Sequence, residues 1–184
     1  MTETAQPTKS DRTRAAILAA ARELFAAQGY ERTTVREVAA KAAIDPAMVI
    51  RYFSSKDGLF ARAAVFDLRL PELGTIERAE LGPVLVGHFL DVWEEGPGMA
   101  VLLRSAASNP AAAEELKAVF AGQVLPAVAR VAGEDAVARA GLVASQLLGL
   151  AFCRYVLRLQ PVVALSRERI VREVGSTIQR YLVG

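Results

Sequence analysis

Apolar residues recur every three or four positions along most of the chain, and this spacing predicts helices almost without interruption. No run of residues has the features of a strand bounded by turn signals. The sequence therefore predicts an all-α fold of about nine helices, which we place at about residues 10–28, 34–41, 46–53, 56–70, 81–95, 97–108, 110–132, 134–159 and 166–182.

Glycine and proline residues mark the ends of several of these helices. Gly29 is placed to stop the first helix, and Pro110 suits the first position of the seventh. We expect Pro126 to kink the seventh helix rather than end it, because apolar spacing resumes after it, and Gly133 to end it. Residues 71–80 combine breakers with charges, which predicts a surface loop.

The segment from Thr33 to Lys56 has the pattern of two short helices joined by a tight turn. Thr34 can cap the first helix, and Glu37 can reach back to the backbone of the cap. Asp45 is a good cap for the second helix, and Pro46 fits its first position. This layout predicts a helix-turn-helix, whose second helix is light in charge and suits the major groove of DNA.

The same segment resembles the tetracycline-repressor (TetR) family of bacterial regulators over about residues 10–60. Beyond residue 60, two further segments resemble the C-terminal domain of actinobacterial members of that family. The residues that carry the first resemblance are Gly29-Tyr30, Thr33-Thr34-Val35, Val38-Ala39, Ala43-Ile44, Tyr52-Phe53 and Lys56, and the later segments are LLRSAASNPAAAEELKAVF and LVASQLLGLAFCRYVLRLQP.

The resemblance implies two domains, a DNA-binding domain at 1–60 and a ligand-binding and dimerisation domain at 61–184. We call these the head and the body. The predicted helix that starts at Lys56 would join them, so it could transmit a change in the body to the angle of the head.

Phosphate contacts are expected from hydroxyls, charges and helix N-termini in the motif. Thr33 and Thr34 lie at the start of one helix and Lys56 at the start of another, while Tyr52 matches a position at which family members contact phosphate. Tyr52 could instead be part of the core.

Base contacts are expected on the outward faces of the two motif helices. Arg36 matches a family position for base contacts, and Arg51 could bind a guanine through its fork of donors. An arginine on a surface helix is also often only solvated. The remaining residues expected to face the groove are Pro46, Ala47 and Met48.

Two departures from the family pattern concern the second motif helix. Ile50 stands where the family most often has a tyrosine, and Asp45 places a negative charge beside the DNA backbone. One phosphate anchor is therefore expected to be missing, and a basic arm could compensate for it. The arm consists of Lys9, Arg12 and Arg14.

Charge is unevenly divided between the two domains. Residues 1–60 carry nine Lys or Arg and seven Asp or Glu, and residues 61–184 carry thirteen of each, so the head holds the whole excess of +2. This excess is too small to identify a nucleic-acid-binding protein by itself.

Enzymatic, metal and membrane functions have little support in the sequence. There is one histidine and one cysteine, Cys153, which excludes a disulfide within one chain and a cysteine zinc site. We expect no catalytic residue, metal or cofactor. The longest apolar stretches span about seven residues, far short of a membrane segment of about twenty, so we expect a soluble cytoplasmic protein.

The last two helices carry small and apolar residues at helical spacing, which favours close helix packing between two subunits. In the family, the corresponding helices form a four-helix dimer interface, and two reading helices are needed for a palindromic site. Packing within one chain is the alternative. The residues expected at the interface are Gly141, Ser145, Gly149, Val174, Ile178 and Tyr181.

Bulky residues of the middle helices could line an internal pocket for a hydrophobic or amphipathic effector, although each could equally be plain core. The candidates are His88, Phe89, Trp93, Met99, Phe120, Phe152 and Cys153, with Arg104, Gln146 and Arg154 as further polar groups. The sequence thus predicts a homodimeric, ligand-responsive regulator, usually a repressor, bound to a double-stranded DNA operator. The alternative is a dimeric ligand- or protein-binding protein whose helix-turn-helix no longer binds DNA.

Overall fold

The computed structural model describes residues 8–184, and the all-α prediction is confirmed within them. Short 3₁₀ turns at Leu73–Thr75 and Gly133–Asp135 and π-helical segments at Phe120–Val124 and Phe152–Val156 join or extend the α-helices. The α-helices are α1 Lys9–Arg32, α2 Val35–Lys41, α3 Pro46–Phe53, α4 Lys56–Ala63, α5 Leu81–Glu94, α6 Gly98–Ala106, α7 Pro110–Val119, α8 Leu125–Ala132, α9 Ala136–Ala151, α10 Gln160–Val163 and α11 Arg167–Val183.

Helices α1 to α3 form a small bundle whose ends are set by short-range hydrogen bonds. Thr8 caps α1, Thr34 caps α2 with a reciprocal bond from Glu37, and Asp45 accepts from the Ala47 N–H at the start of α3. Gly29 interrupts α1 with a φ of 78°, as a residue without Cβ can at low cost. The side chains buried between these helices include Ile17, Phe25, Val38, Val49 and Phe53.

Helix α4 is shorter than the apolar spacing predicts, because it ends at Ala63 rather than near residue 70. The backbone of Ala64 is extended, and the amide of Gln123 holds the following segment by accepting from the Leu68 N–H at 2.7 Å and donating to the Phe66 carbonyl at 2.6 Å. These long-range bonds replace the bonds that another helical turn would have made. We call residues 64–73 the strap.

The body is built around α5 and α11, which touch through their backbones. A Cβ on Gly82 of α5 would overlap the carbonyl oxygen of Gly175 on α11 and lie 2.6 Å from the Gln179 nitrogen. Glycine at both positions therefore permits the closest helix contact in the body. Leu85, Leu90 and Ile178 are buried around this contact.

A continuous helical run from Pro110 to Val156 is long and apolar enough by length and composition to cross a membrane. It is bent at Gly133, whose φ is 68°, and α8 and α9 pack against each other and against α11. Pro126 follows a π-helical segment closed by the Leu125 N–H and the Phe120 carbonyl, which accommodates the proline that we expected to kink the helix.

Candidate nucleic-acid interface and internal cavity

Helix α3 divides into an inward and an outward face. Val49 and Phe53 are buried in the head, whereas Ala47, Ile50 and Arg51 are exposed and lie three or four residues apart on the opposite side. Pro46 is exposed at the helix start, and Met48 is half-buried at the edge of this face. The outward face therefore presents one cation beside a mainly apolar surface.

The start of α2 is more constrained than the sequence suggested. Thr33 is fully buried and its hydroxyl donates to the Gly29 carbonyl at 2.8 Å, so the expectation that this hydroxyl binds phosphate is corrected. Thr34 shares its hydroxyl and its backbone N–H with the Glu37 carboxylate, and these hydrogen bonds lower the pKa of Glu37. Arg36 is exposed in the first turn of α2.

Lys56 lies beside the start of α2. Its ammonium donates to the Glu31 carbonyl at 3.2 Å, lies 4.3 Å from the centre of the Tyr30 ring and helps to lower the pKa of Glu37. The ammonium group of Lys56, at the start of α4, therefore lies between the end of α1 and the start of α2, and a cation at this place suits contact with a DNA phosphate.

Tyr52 lies at the contact between α3 and the start of α1. Its hydroxyl is 3.2 Å from the Ser10 hydroxyl, and the Arg14 guanidinium lies 5.5 Å from the ring centre. Lys9 and Arg12 are exposed nearby in sequence, so the expected basic arm is the first turns of α1 within the described residues.

A polar cluster that the sequence analysis missed joins the head to the body. The Tyr30 hydroxyl donates to the Asp57 carboxylate, which also accepts from the Arg104 guanidinium and the Ser105 hydroxyl, both at 3.3 Å. Burial and the Asp57 contact raise the pKa of Tyr30 to about 12. Gly58 lies next to this cluster, and a Cβ there would overlap the Phe53 carbonyl oxygen and the Asn109 side chain.

The body contains a partly open cavity of about 100 Å³. His88 is its one polar lining residue among the described residues, and its Nε2 donates to the Leu68 carbonyl at 2.7 Å. Trp93 is buried in the cavity wall. Its ring centre lies 5.5 Å from that of Phe89, and its ring is stacked on Tyr155. The predicted lining residues that the structure brings together here are His88, Phe89, Trp93, Met99 and Phe120.

Two other predicted lining residues lie elsewhere. Phe152 is 37% exposed on the outer side of the helix, and Cys153 is half-buried outside the cavity. Arg104 is paired with Asp57, and Arg154 donates to the carbonyls of α10 and its C-terminal end. Neither arginine is available to orient a ligand in the cavity.

The strap forms part of the cavity wall. Leu68, Leu70 and Leu73 line the cavity, and Leu73 is almost fully buried, so the predicted surface loop at 71–80 is partly core. Gln123 and His88 form hydrogen bonds to Leu68 of the strap. Both residues are distant from the strap in sequence, so local spacing did not predict these bonds.

The predicted dimer residues divide into surface and core. Gly141, Ser145 and Gly149 are exposed along one side of α9, and Val174 and Tyr181 are half-exposed on α11. Ile178 is fully buried against the protomer's own core, so its assignment to the interface is corrected. Exposed Val137, Leu142 and Phe152 extend the α9 surface.

Two family models cover most of the chain. The model of bacterial regulatory proteins of the tetR family matches residues 17–63, and the tetracyclin repressor-like C-terminal domain matches residues 79–182. A helix-turn-helix transcriptional repressor of Mycobacterium tuberculosis is 34% identical over 85 residues, which are 46% of this chain and 44% of that protein.

Solved structures extend the similarity over nearly the whole chain. A TetR-family regulator from Streptomyces coelicolor A3 is 30% identical, with 97% of this chain and 98% of that chain covered and a TM-score of 0.47. A putative transcriptional regulator from Saccharomonospora viridis, solved with choline, is 18% identical over 93% of this chain and 97% of that chain, with a TM-score of 0.53. The second similarity concerns the fold alone.

Proposed function

Because this chain belongs to the TetR family of bacterial regulators, we propose that it is a cytoplasmic homodimeric repressor that binds a palindromic DNA operator and releases it when a small apolar effector binds. The outward face of α3 is the observation that carries the proposal. A capped helix with exposed Ala47, Ile50 and Arg51 projects from the head, as a reading helix must.

Phosphate binding and base reading are assigned to different residues. Lys56 and Tyr52 lie at the ends of the helices where charge and hydroxyl groups can contact the DNA backbone, as does the start of α2 at Thr34. Arg36 and Arg51 are exposed on the outward faces of α2 and α3, where guanidinium groups can bind guanine.

A selection of binding sites from a random duplex library tests DNA binding. We expect a palindrome, because a dimer places two α3 helices about one DNA turn apart, roughly 34 Å. Lys56→Ala should weaken binding to all sequences and reduce the salt slope by about one per subunit, which is about two for the dimer, whereas Arg36→Ala or Arg51→Ala should cost about 1 to 3 kcal/mol per half-site and relax one base position there. Arg172→Ala, on α11, is the matched control and should leave the selected sequence unchanged.

Equal effects of the Lys56 and arginine variants on specific and random DNA would contradict this division of roles. A library without any enriched sequence would favour the alternative, a dimeric ligand-binding protein whose helix-turn-helix does not bind DNA.

The exposed side of α9 supports a dimer. Val137 and Leu142 on α9 are 69% and 48% exposed, and Phe152 just beyond α9 is 37% exposed. A second copy would remove this surface from water. Leu142→Glu, at a residue 48% exposed on α9, should produce a monomer in sedimentation velocity at micromolar concentration. Val84→Glu on α5 introduces the same charge at another exposed residue and should leave the dimer intact; a dimer in both variants would contradict this interface.

The cavity favours a neutral effector about the size of benzene. Apart from His88, which is already bonded to the strap, its lining residues are apolar, so a buried charge would have no partner there. The strap lining this cavity continues directly from α4, so an effector that displaces Leu68 would also displace the end of α4 and the head.

Titration with benzene tests this assignment through the fluorescence of Trp93, the single tryptophan. We expect saturable quenching and weaker operator binding, with butyrate and tetramethylammonium as charged controls that have no effect. Ala144→Leu, which adds volume to the cavity wall, should abolish the benzene response without changing operator affinity. A benzene response that survives in this variant would place the effector site elsewhere.

A further inference from the structure

Ile50 has an environment that the family pattern does not explain. It is the one large aliphatic side chain on the outward face of α3 in the described structure, and it is 44% exposed. The inward residues Val49 and Phe53 already anchor α3 to the head, so Ile50 is not required to hold the helix in place. Its exposure leaves apolar surface on the side of α3 that would meet DNA.

The chemistry of the major groove limits what an aliphatic side chain can contact there. Phosphates and most base edges present donors or acceptors, with which isoleucine makes no hydrogen bond. The C5-methyl group of thymine is the apolar group on the edges of the base pairs in this groove. Contact between Ile50 and such a methyl group would remove both from water.

Neighbouring residues fix where this contact would fall. Ala47 lies three residues before Ile50 on the same exposed face, and Arg51 follows it directly. Ile50 and Arg51 are successive residues of one helix, about 1.5 Å apart along its axis, and their side chains point about 100° apart around it. Since base pairs are stacked with a rise of about 3.4 Å, we place the thymine contacted by Ile50 beside the base pair contacted by Arg51.

On the basis of the proposed DNA binding, we propose that Ile50 reads the methyl group of one thymine in each operator half-site, next to the base pair read by Arg51. Isoleucine at this position thus replaces a phosphate anchor with a preference for thymine. Ala47 leaves room for the methyl group beside Ile50, since its own side chain is a single methyl.

Substitution of thymine by deoxyuridine tests the contact, because it removes only the methyl group. In the duplex selected from the random library, each thymine is replaced in turn and the dissociation constant is measured. One thymine per half-site should weaken binding about fourfold when replaced, which is the value of one buried methyl-sized group. Replacement in both half-sites should weaken binding about fifteenfold.

Variants of Ile50 test whether this side chain causes the weaker binding to deoxyuridine duplexes. Ile50→Ala should bind the thymine and deoxyuridine duplexes with nearly equal affinity, and Ile50→Val should keep most of the difference because it retains branched methyl groups. Val84→Ala, at an exposed aliphatic residue on α5, should keep the full difference. Circular dichroism of each variant reports whether the helical fold is retained.

Two results would overturn the proposal while leaving DNA binding intact. One is a wild-type protein that tolerates deoxyuridine at every thymine, and the other is an Ile50→Ala variant that still discriminates as the wild type does. A protein that selects no duplex sequence would contradict the proposed DNA binding itself, and the reading by Ile50 with it.

Discussion

The helices of the head and the first helix of the body begin with different kinds of hydrogen bonds. Thr34, Asp45 and Ser55 in the head accept from backbone groups two or three residues away. In the body, α5 and α6 begin without a side-chain cap, and Gln179 instead binds the Gly82 N–H and the Arg78 carbonyl, 97 and 101 residues away in sequence. In the body, α7 and α11 also carry local caps, from Asn109 and Ser166. The ends of the head helices are therefore set locally, whereas the start of α5 depends on a residue from a distant segment.

Because of this difference, we expect the head and the body to respond differently when an effector binds. A helix that carries its own cap keeps its ends when its neighbours move, so the head can turn as a unit. A cavity wall held by Gln123 and His88 changes whenever either side chain changes its contact. The body can thus respond to an effector, and the head can carry that response to DNA without changing its own shape.

The largest expected effect of a substitution is at the contact of α5 with α11. Gly82→Val places a side chain against the backbone of Gly175 and Gln179, and rigid backbone cannot move aside at low cost. The free energy of unfolding should fall by about 3 kcal/mol or more, as measured by urea denaturation. Gly96→Ala, where a Cβ meets no atom within 4 Å, is the control and should change stability much less; equal losses would contradict the close contact.

Loss of the two hydrogen bonds between Gln123 and the strap should have a smaller effect. Gln123→Met removes both hydrogen bonds to the strap and keeps a side chain of similar length, leaving the Leu68 N–H and the Phe66 carbonyl without these partners. We expect a loss of about 2 kcal/mol and a change in Trp93 fluorescence, since the strap lines the same cavity. Gln146→Met on α9 serves as control. Unchanged stability and Trp93 emission in Gln123→Met would show that the hydrogen bonds of Gln123 do not hold the strap.

Removal of a local cap in the head should cost less again. Thr34→Ala removes the hydroxyl that accepts from the Glu37 N–H, at a cost of about 1 kcal/mol. Thr177→Ala removes an exposed hydroxyl within α11 and should change stability by less than about 0.5 kcal/mol. If the Thr34 variant lost as much stability as the Gln123 variant, the contrast between local and long-range support would not hold.

The last effect concerns the cluster that joins the two regions, and it is confined to alkaline solution, so it is absent at neutral pH. The pKa of Tyr30 is raised to about 12 in the folded protein, against about 10 in an unfolded chain. Its protonated form is favoured by folding, so this stability is fully present below about pH 10 and is lost as the pH rises towards 12. Denaturation across this range should show the loss in the wild type and a weaker loss in Tyr30→Phe; identical pH profiles would contradict the Tyr30–Asp57 contact.

The sequence predicted the head better than the body for the same reason. Thr34 with Glu37 and Asp45 with Pro46 are signals within four residues, and the structure confirms these caps. The early end of α4 at Ala63 depends on Gln123, some sixty residues later, which no local spacing reveals.

The candidate sites show the same limit. Apolar residues of α5 could be assigned to the cavity because they share one helix face. Phe152 was assigned wrongly because the cavity ends at Leu148 along α9, a boundary that depends on how distant helices pack and not on the local spacing. Thr33 was expected to contact phosphate because its hydroxyl lies at a helix start, yet the side chain is buried and its hydroxyl donates to the Gly29 carbonyl.

The contact of Gly82 with Gly175 has a consequence for how the two subunits of the proposed dimer would communicate. A joint made of backbone has no rotamers to rearrange, so α5 and α11 can shift only together. One of these helices carries part of the cavity wall, and the other carries Val174 and Tyr181 of the proposed interface. An effector in one cavity would then shift α11 at the interface and so change its contacts with the other subunit. We therefore expect effector titrations of the dimer to have a Hill coefficient different from one.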